Sequence, residues 1–427
     1  MGELRIGSVL PSTGDLKLGS TNVIKIYNGQ ELVFGVEDFQ ENLGTSFNGT
    51  ILVIAIQPLD NKILVGGLFS SFNGNDINRL VRLNPNGTED INFSNEITPG
   101  VGSVNSEYRI DDIVVLPNGD ILAGGRFTSM AGVNGITNLA KFNSLGELDL
   151  TFESNLPSLV GTPSTNPIDA IVPQSDGKIL VTVDDRVIRL LSTGAPDTPF
   201  NDNFEDINNV NISFIYDAIQ LLDGSFLIGG ALSYNFTAVD ILKLNNDGTL
   251  DTTFMDNLLG GFNGSVYELV EQPDDGKILV GGDFSSYRRN STDTSDGLIR
   301  ISPDGTPDTD FNLNLGVGFN GYLEVIRTIC LQPLGDDYKI LVGGSFETFN
   351  GNDRYKLVRL NSDGTEDVDF YNNLGTGFGP PSNQTYSQIF DIVIDNEGNI
   401  LISATTTDFK GTLVKKLIKL DSDGNIV

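Results

Sequence analysis

A chain of 427 residues with a formal net charge of −31 and no histidine excludes several functions before any motif is read. So acidic a surface repels phosphate backbones, which argues against nucleic-acid binding; without imidazole there is no Ser-His-Asp or Cys-His system and no histidine metal ligand. No apolar run approaches a membrane span, so no membrane insertion is expected, and Met1-Gly2-Glu3-Leu4-Arg5 lacks the basic start and apolar core of a secretory signal, which predicts a soluble protein made in a cytoplasm.

Taken in chain order, residues 1–35 stand apart from residues 36–427. Lys17 to Val33 reads as a β-hairpin or small strand pair with Asn28-Gly29 as its turn. Such a segment is too short for a core of its own and must dock on the rest of the chain or on another protein. Leu18, Val23, Ile26 and Tyr27 are its candidate attachment residues.

From Phe39 onward the chain repeats. The phrase Lys62-Ile63-Leu64-Val65-Gly66-Gly67 returns at Asp120–Gly125, Ser225–Gly230, Lys277–Gly282 and Lys339–Gly344, with worn copies at Lys178–Thr182 and Asn399–Ala404. A period of about 55 residues, all strand and turn, is that of small sheets that cannot bury their faces alone. The fifth copy is the clearest. Val266–Glu271 alternates as a first strand, a Pro-Asp-Asp-Gly turn leads into the second, and Leu298-Ile299-Arg300-Ile301 makes the third. The double Gly allows close approach at the end of the second strand, and Phe69, Phe127, Phe284 and Phe346 behind it are core anchors.

Each unit closes on Asp-x-x-Phe, at Asp90/Phe93, Asp149/Phe152, Asp197/Phe200, Asp251/Phe254, Asp308/Phe311 and Asp367/Phe370, expected as a short final strand. The third unit is clipped, passing from Val183 through Asp184-Asp185 directly into Arg186. The seventh ends at Val427 before its closing Phe, and the missing piece stands at the other end of the chain: Phe39 to Gly49 matches the spacing of Phe311 to Gly321 and Phe254 to Gly264. One position departs, since Val36 stands where the Asp of the motif belongs. The expected fold is therefore all-β: a closed seven-bladed β-propeller over residues 36–427, its last blade completed by an N-terminal strand, with residues 1–35 as a short β extension.

The units, of the form Gln-Pro-x-Asp-Gly-Lys-Ile-Leu-Val-Gly-Gly-x-Phe followed by Arg-Leu-Asn-x-Asp-Gly-Thr-x-Asp-x-x-Phe, resemble the delta-60 repeat family of β-propellers from about Phe39 to Val427. That resemblance implies a propeller and little chemistry, because fold alone does not carry function. The stretch Leu18-Gly19-Ser20-Thr21-Asn22-Val23-Ile24-Lys25-Ile26-Tyr27-Asn28-Gly29 resembles short segments of phage tail and other virion proteins, which implies a structural component of a particle.

Three groups of residues invite a site. Asn361-Ser362-Asp363-Gly364 and Asp421-Ser422-Asp423-Gly424 have calcium-loop composition, but Gly comes fourth rather than sixth and no glutamate closes the loop, so they read as hairpin turns. Aligning the first strands puts Asp112, Asp217, Glu268 and Asp391 at one level, with Asp169 one place earlier, where they would converge on a central channel as a cation site, calcium being the candidate ion. The alternative is a solvated channel mouth. The loop around Tyr287, Arg288 and Arg289 is the candidate contact surface, and Arg327 joins these arginines as a group able to bind acidic sugars. Arg82, Arg300 and Arg359 recur with the repeat and read as structural, and Cys330 reads as a small buried hydrophobe.

No catalytic residue is assigned, and no cofactor beyond the candidate channel ion. The expected protein is a non-enzymatic phage virion component, a tail-fibre, baseplate or neck propeller joined to other virion proteins through residues 1–35 and facing a host receptor or polysaccharide. The alternative is a bacterial cell-surface adhesin that binds glycans through its loops, with a polysaccharide-degrading enzyme ranked behind both.

Overall fold

The computed structural model describes residues 38–427 except 102–106, 162–166, 184, 236, 259, 288–295, 322–324, 336, 376, 380–386 and 406–407, together with residues 16–18 and 21–23. The central strands of the repeat are Ile63–Gly67, Ile121–Arg126, Ile179–Val183, Phe226–Tyr234, Ile278–Gly282, Asp337–Gly344 and Ile400–Ala404. Each is flanked by an antiparallel strand on either side, which makes seven sheets of one design in an all-β, propeller-like fold. In the clipped third unit Val183 pairs directly with Arg186, so the outer hairpin of the other units is missing there, as its sequence predicts. In the leading segment Leu16–Leu18 pairs antiparallel with Thr21–Val23. The predicted Asn28-Gly29 turn lies outside the described residues, as do Ile26 and Tyr27.

The double Gly is explained by two different contacts. A Cβ on Gly66 would lie 2.7 Å from Cγ2 of Ile110 in the next sheet, and one on Gly124 the same distance from Ile168. Gly229, Gly281 and Gly343 meet Val266, Ile326 and Ile389 in the same way. The first glycine is therefore the seat for the following sheet's first strand. The second faces its own first strand, where a Cβ on Gly344 would come within 2.0 Å of the Val325 carbonyl oxygen. In the worn third copy Thr182 stands at the first place, and its hydroxyl accepts a hydrogen bond from the Ala170 N–H at 2.9 Å.

The Asp-x-x-Phe segments are helices, not strands. Ile91–Ile97, Leu150–Asn155, Thr198–Glu205, Thr252–Leu258, Thr309–Asn314 and Val368–Leu374 each bury their Phe. In four of them the aspartate is the reason: Asp149 accepts from the N–H groups of Thr151 and Phe152 at 3.1 and 3.0 Å, and Asp251, Asp308 and Asp367 accept from Phe254, Phe311 and Phe370, whereas Asp90 and Asp197 stand at the same place without a side-chain capping bond. A carboxylate there satisfies the open donors of a first helical turn, which favours helix over extended chain.

The same correction applies at the chain's other end. The piece that serves the seventh sheet is the helix Phe39–Asn42, not a strand. Asp38, one residue before Phe39, caps it in place of the absent motif aspartate, accepting from Gln40 N–H at 2.8 Å. Gln40 then binds the seventh sheet's edge, donating to Leu417 O and accepting from Lys415 N–H, both at 2.9 Å. Asn312 ties its helix to Arg300 with the same pair of bonds, so residue 40 plays the part of residue 312 across the chain ends.

Beside each buried Phe sits a basic residue of a third strand. Arg82, Arg189, Arg300 and Arg359 lie over Phe93, Phe200, Phe311 and Phe370 at 4.0 to 4.2 Å, and Lys419 lies 5.8 Å from Phe39. Each of these arginines also pairs with the motif aspartate and donates to a carbonyl of the next unit: Ser144, Asn246, Ser362 and Ser422 respectively. The repeated arginines are thus inter-sheet fasteners, as their recurrence predicts.

Tyr287 corrects another expectation. It is no loop contact but a core residue, 1% exposed, packed on Phe262 at a ring distance of 5.3 Å and donating its hydroxyl to Gly305 O at 2.7 Å. It bridges Phe262 as Phe349 pairs with Phe319 and Phe72 with Phe47, so it fills the unit's second aromatic anchor place. Tyr287→Phe should cost about 1 kcal/mol, the net worth of one buried hydrogen bond, read as a small fall in unfolding midpoint. Arg288 and Arg289 lie outside the described residues. Among the described residues, no helix is long and apolar enough to cross a membrane.

Candidate functional site

The first strands share an irregularity that builds the site. Opposite the double Gly, the register of each slips by one residue, between Ile51 and Val53, Ile110 and Asp112, Ile215 and Asp217, Val266 and Glu268, Ile326 and Thr328, and Ile389 and Asp391. A bulge re-aims the extra side chain and bends the strand. The bulged residues are Leu52, Asp111, Tyr216, Tyr267, Arg327 and Phe390, with Asp169 at the matching place in the third sheet. All seven line one cavity of about 370 Å³.

The residues after the bulges, Thr328 excepted, form a second tier in the same cavity, and here the four sequence-predicted carboxylates meet. They are not held as a metal cage. Asp112 accepts from Ile171 N–H at 2.6 Å, Asp217 from Leu269 N–H at 2.7 Å, and Asp391 from Ile54 N–H at 2.6 Å. Glu268 accepts from Ile329 N–H in the same manner. Each acceptor ties its own first strand to the first strand of the following sheet, and Asp391 ties the seventh sheet to the first. Among the described residues, no group of three or more Asp, Glu, Cys or His is placed to hold a metal ion. The carboxylates converge as predicted, and their oxygens are directed to backbone donors rather than to one shared point.

Burial in the channel wall raises these groups. The carboxyl of Asp112 is pushed up to about 7 by desolvation and by the nearby charges of Asp217 and Asp391, against the stabilising N–H bonds. Asp217 and Asp391 are pushed up to about 6 by desolvation, and Glu268 lies well above its usual range for the same reason, with Asp217 and Asp391 adding to it. Cys330, on the sixth sheet's first strand, is half-buried and its thiol is pushed up to about 12 by desolvation and by Asp391 and Glu268. It is therefore a protonated thiol rather than a nucleophile.

The upper tier has a different character. Tyr216 and Tyr267 pack at 4.6 Å between ring centroids, Arg327 lies 4.6 Å over the Tyr267 ring, and Tyr267 donates to Asp283 at 3.1 Å. Asp111 is paired with Arg109 at 2.7 Å. Arg327 makes no ion pair or hydrogen bond among the described residues, and its Nε is enclosed without a partner. Of the bulge tier the sequence singled out Asp169 and Arg327 and passed over the other five, although the signal was there: each member stands directly ahead of the position that aligns with Asp112, Asp217, Glu268 and Asp391.

Six segments, residues 59–93, 116–152, 174–200, 222–254, 274–311 and 337–370, match the family model described as a β-propeller domain of unknown function (DUF5122). The repeat is that of a β-propeller family. Each matched segment ends on the buried Phe of one of these helices.

No curated protein matches the propeller chain. Among solved structures, it is similar to the extracellular domain of BT4673 from B. thetaiotaomicron, with 14% identity and a TM-score of 0.46 over 84% of this chain and 38% of that one. It is also similar to PorZ of the type-IX secretion system of Porphyromonas gingivalis, at 11% identity and a TM-score of 0.43 over 89% and 48% of the two chains. Virginiamycin B lyase from Staphylococcus aureus gives 11% and 0.41 over 83% and 92%. The chain spans well under two thirds of the first of these proteins, and values of this size carry no argument about function.

Proposed function

We propose that the chain is a closed seven-bladed propeller serving as a rigid, non-enzymatic interaction module of a phage virion, fixed to neighbouring virion proteins through residues 1–35. The observation that carries the closed ring is the bond from Ile54 N–H of the first sheet to Asp391 of the seventh at 2.6 Å, which repeats the bonds between consecutive sheets elsewhere. Asn396 Nδ2 adds a bond to Pro58 O at 2.7 Å, and Gln40 fastens the N-terminal helix to the last sheet. A ring with no open sheet edge at its seam is stiff and resists edge-to-edge pairing, which suits a spacer or platform in an assembly.

The virion placement draws on the resemblance of residues 18–29 to phage tail segments, and the repeat itself fits the delta-60 description. The leading segment lies outside the repeat and pairs with itself through Leu18 and Thr21. Deleting residues 1–35 should leave a propeller with unchanged unfolding midpoint that no longer enters particles, as judged by mass spectrometry of purified virions. Normal incorporation of the truncated chain would overturn the attachment role.

A further inference from the structure

The channel mouth has the makings of a ligand site that the assembly role does not use. Its central feature is Arg327. The buried arginines of the third strands, Arg82, Arg189, Arg300 and Arg359, each pair with an aspartate at 2.8 to 3.0 Å. Arg327 alone among the bulged residues is cationic, and among the described residues it has neither an ion pair nor a hydrogen bond, its Nε being enclosed and unpartnered. A half-buried guanidinium without an anion is costly, because desolvation is not offset by pairing. Among the described residues its one contact of this kind is the face of Tyr267, at 4.6 Å, and such a contact leaves the in-plane donors of the fork unused.

The rest of the mouth narrows the ligand. On one side stand the rings of Tyr216, Tyr267 and Phe390, surfaces suited to the C–H face of a sugar or to another flat apolar face. On the other stand Asp111 and Asp169, carboxylates that accept hydrogen bonds from hydroxyl groups. A cavity of about 370 Å³ lies at the small end of the usual range for small-molecule sites. The carboxylates of the lower tier and the chain's charge of −31 oppose clustered negative charge, so the mouth accommodates one carboxylate, placed on Arg327, and any further acidic unit of a longer ligand would lie outside it.

We propose that this mouth binds a carboxylated sugar, a uronic-acid unit whose carboxylate pairs with Arg327, whose ring lies against Tyr216 and Tyr267, and whose hydroxyls donate to Asp111 and Asp169. The charge decides the class: a neutral sugar would leave the arginine unpaired, and an amine would be repelled by it. The site stands on the seven first strands rather than on residues 1–35, so it holds whether or not the leading segment anchors the chain.

The test is calorimetric titration of the full chain with glucuronate, with a short oligoglucuronate, with glucose, and with the tripeptide Gly-Gly-Gly as a carboxylate of another kind. Binding of glucuronate or its oligomer at least tenfold tighter than glucose is expected, tighter for the oligomer if the source is a polysaccharide and equal if it is the free sugar acid. Arg327→Ala should weaken that binding tenfold or more, with Arg327→Lys recovering part, and Tyr216→Ala should weaken it without altering the preference for the acid. Because Arg327 makes no ion pair or hydrogen bond among the described residues and touches only the Tyr267 ring there, its variants should keep nearly the parent unfolding midpoint, so a loss of binding is not a loss of fold. Equal affinity for glucose and glucuronate, preference for the tripeptide, unchanged binding in Arg327→Ala, or no uptake of any uronate at millimolar concentration would each overturn the proposal.

Discussion

Arg359→Ala should lower the stability of this protein by about 3–5 kcal/mol, the scale observed when one partner of a buried charge pair is removed. The side chain is 6% exposed, donates to Asp367 at 3.0 Å and to Gln332 at 2.9 Å, and crosses to Ser422 O of the next unit. Its guanidinium also covers Phe370 at 4.0 Å. Burial lowers its own pKa, desolvation outweighing the opposing pull of Asp367, so the pair exists at a cost that the surrounding bonds offset. Truncation leaves the Gln332 oxygen and the Ser422 carbonyl without this donor, opens a void over Phe370, and leaves Asp367 to Lys339 at 3.6 Å.

The substitution Arg359→Lys should lose less, because Lys141, Lys243 and Lys419 hold the equivalent place in other units and pair with Asp149, Asp223 and Asp395. It would keep the charge but not the fork that reaches three acceptors at once. Chemical unfolding midpoints of the two variants measure the difference. A loss below about 1 kcal/mol for the alanine variant would show that this fastener between sheets is energetically idle, since typical surface pairs contribute that little.

Acidification from pH 8 to pH 5 should stabilise the fold, and the channel carboxylates decide the sign. Asp112 at about 7 and Asp217 and Asp391 at about 6 hold protons more tightly in the folded chain than the ordinary value of 3.8 allows, and Glu268 is raised as well. Stability falls with rising pH wherever the native state binds more protons than the unfolded one. Their contribution is therefore fully present below the unfolded value and is lost as pH rises through the folded values, between about pH 4 and pH 7. The carboxyls of Asp90, Asp308 and Asp395 are shifted the other way: bonds from Lys62 and Arg82, from Lys277 and Arg300, and from Lys419 and Asn399 together outweigh desolvation. They lose their contribution only as pH falls below the ordinary carboxylate range, so the maximum belongs at about pH 5.

Asp112→Asn separates these terms. The amide oxygen can still accept from Ile171 N–H, while the charge that burial disfavours is gone. The variant should melt higher than the parent at pH 8, match it near pH 4.5, and show a shallower slope between. Asp112→Ala, which removes the acceptor, should melt lower than the asparagine variant at every pH. A parent midpoint that rises steadily from pH 5 to pH 8 would refute the account.

Much of the fold was legible because its signals are local. The Gly-Gly pair, the apolar runs and the Asn/Asp-Gly turns recur in order, and Asn361–Thr365 is a hairpin turn: Asn361 N–H bonds to Thr365 O at 2.8 Å while Asp363 accepts from Thr365 N–H. The recurrence of Arg82, Arg300 and Arg359 likewise pointed to structure rather than recognition. The Asp-x-x-Phe segments were misread as strands because their Phe alone suggested an anchor. Their aspartate, three residues before the Phe, is the helix-cap signal, and in four of the six it accepts from first-turn N–H groups.

The candidate site was only half legible. Alignment of first strands brought Asp112, Asp217, Glu268 and Asp391 together, since residues at equal repeat positions occupy equal places in a repeated fold. Whether they held an ion or tied strands could not be read from one dimension, because the Ile54, Ile171, Leu269 and Ile329 N–H groups that they meet belong to the next unit. Tyr287 was misplaced for a similar reason: beside Arg288 and Arg289 it reads as a loop residue, and only packing against Phe262 and Gly305 puts it in the core.

By itself, then, the recurring Lys-Ile-Leu-Val-Gly-Gly phrase determined that the chain is an array of like sheets, and its glycines determined how closely those sheets pack, because a missing side chain acts at the residue that carries it. The one-residue slip opposite those glycines was decided by tertiary structure alone. That slip, with the third sheet's own irregularity, turns seven positions into one cavity and sets Arg327 over Tyr267, near Tyr216 and across from two aspartates contributed by other sheets. A charge acquires its meaning from the partners that folding brings to it, and in the linear chain each of these stands in a different repeat from Arg327.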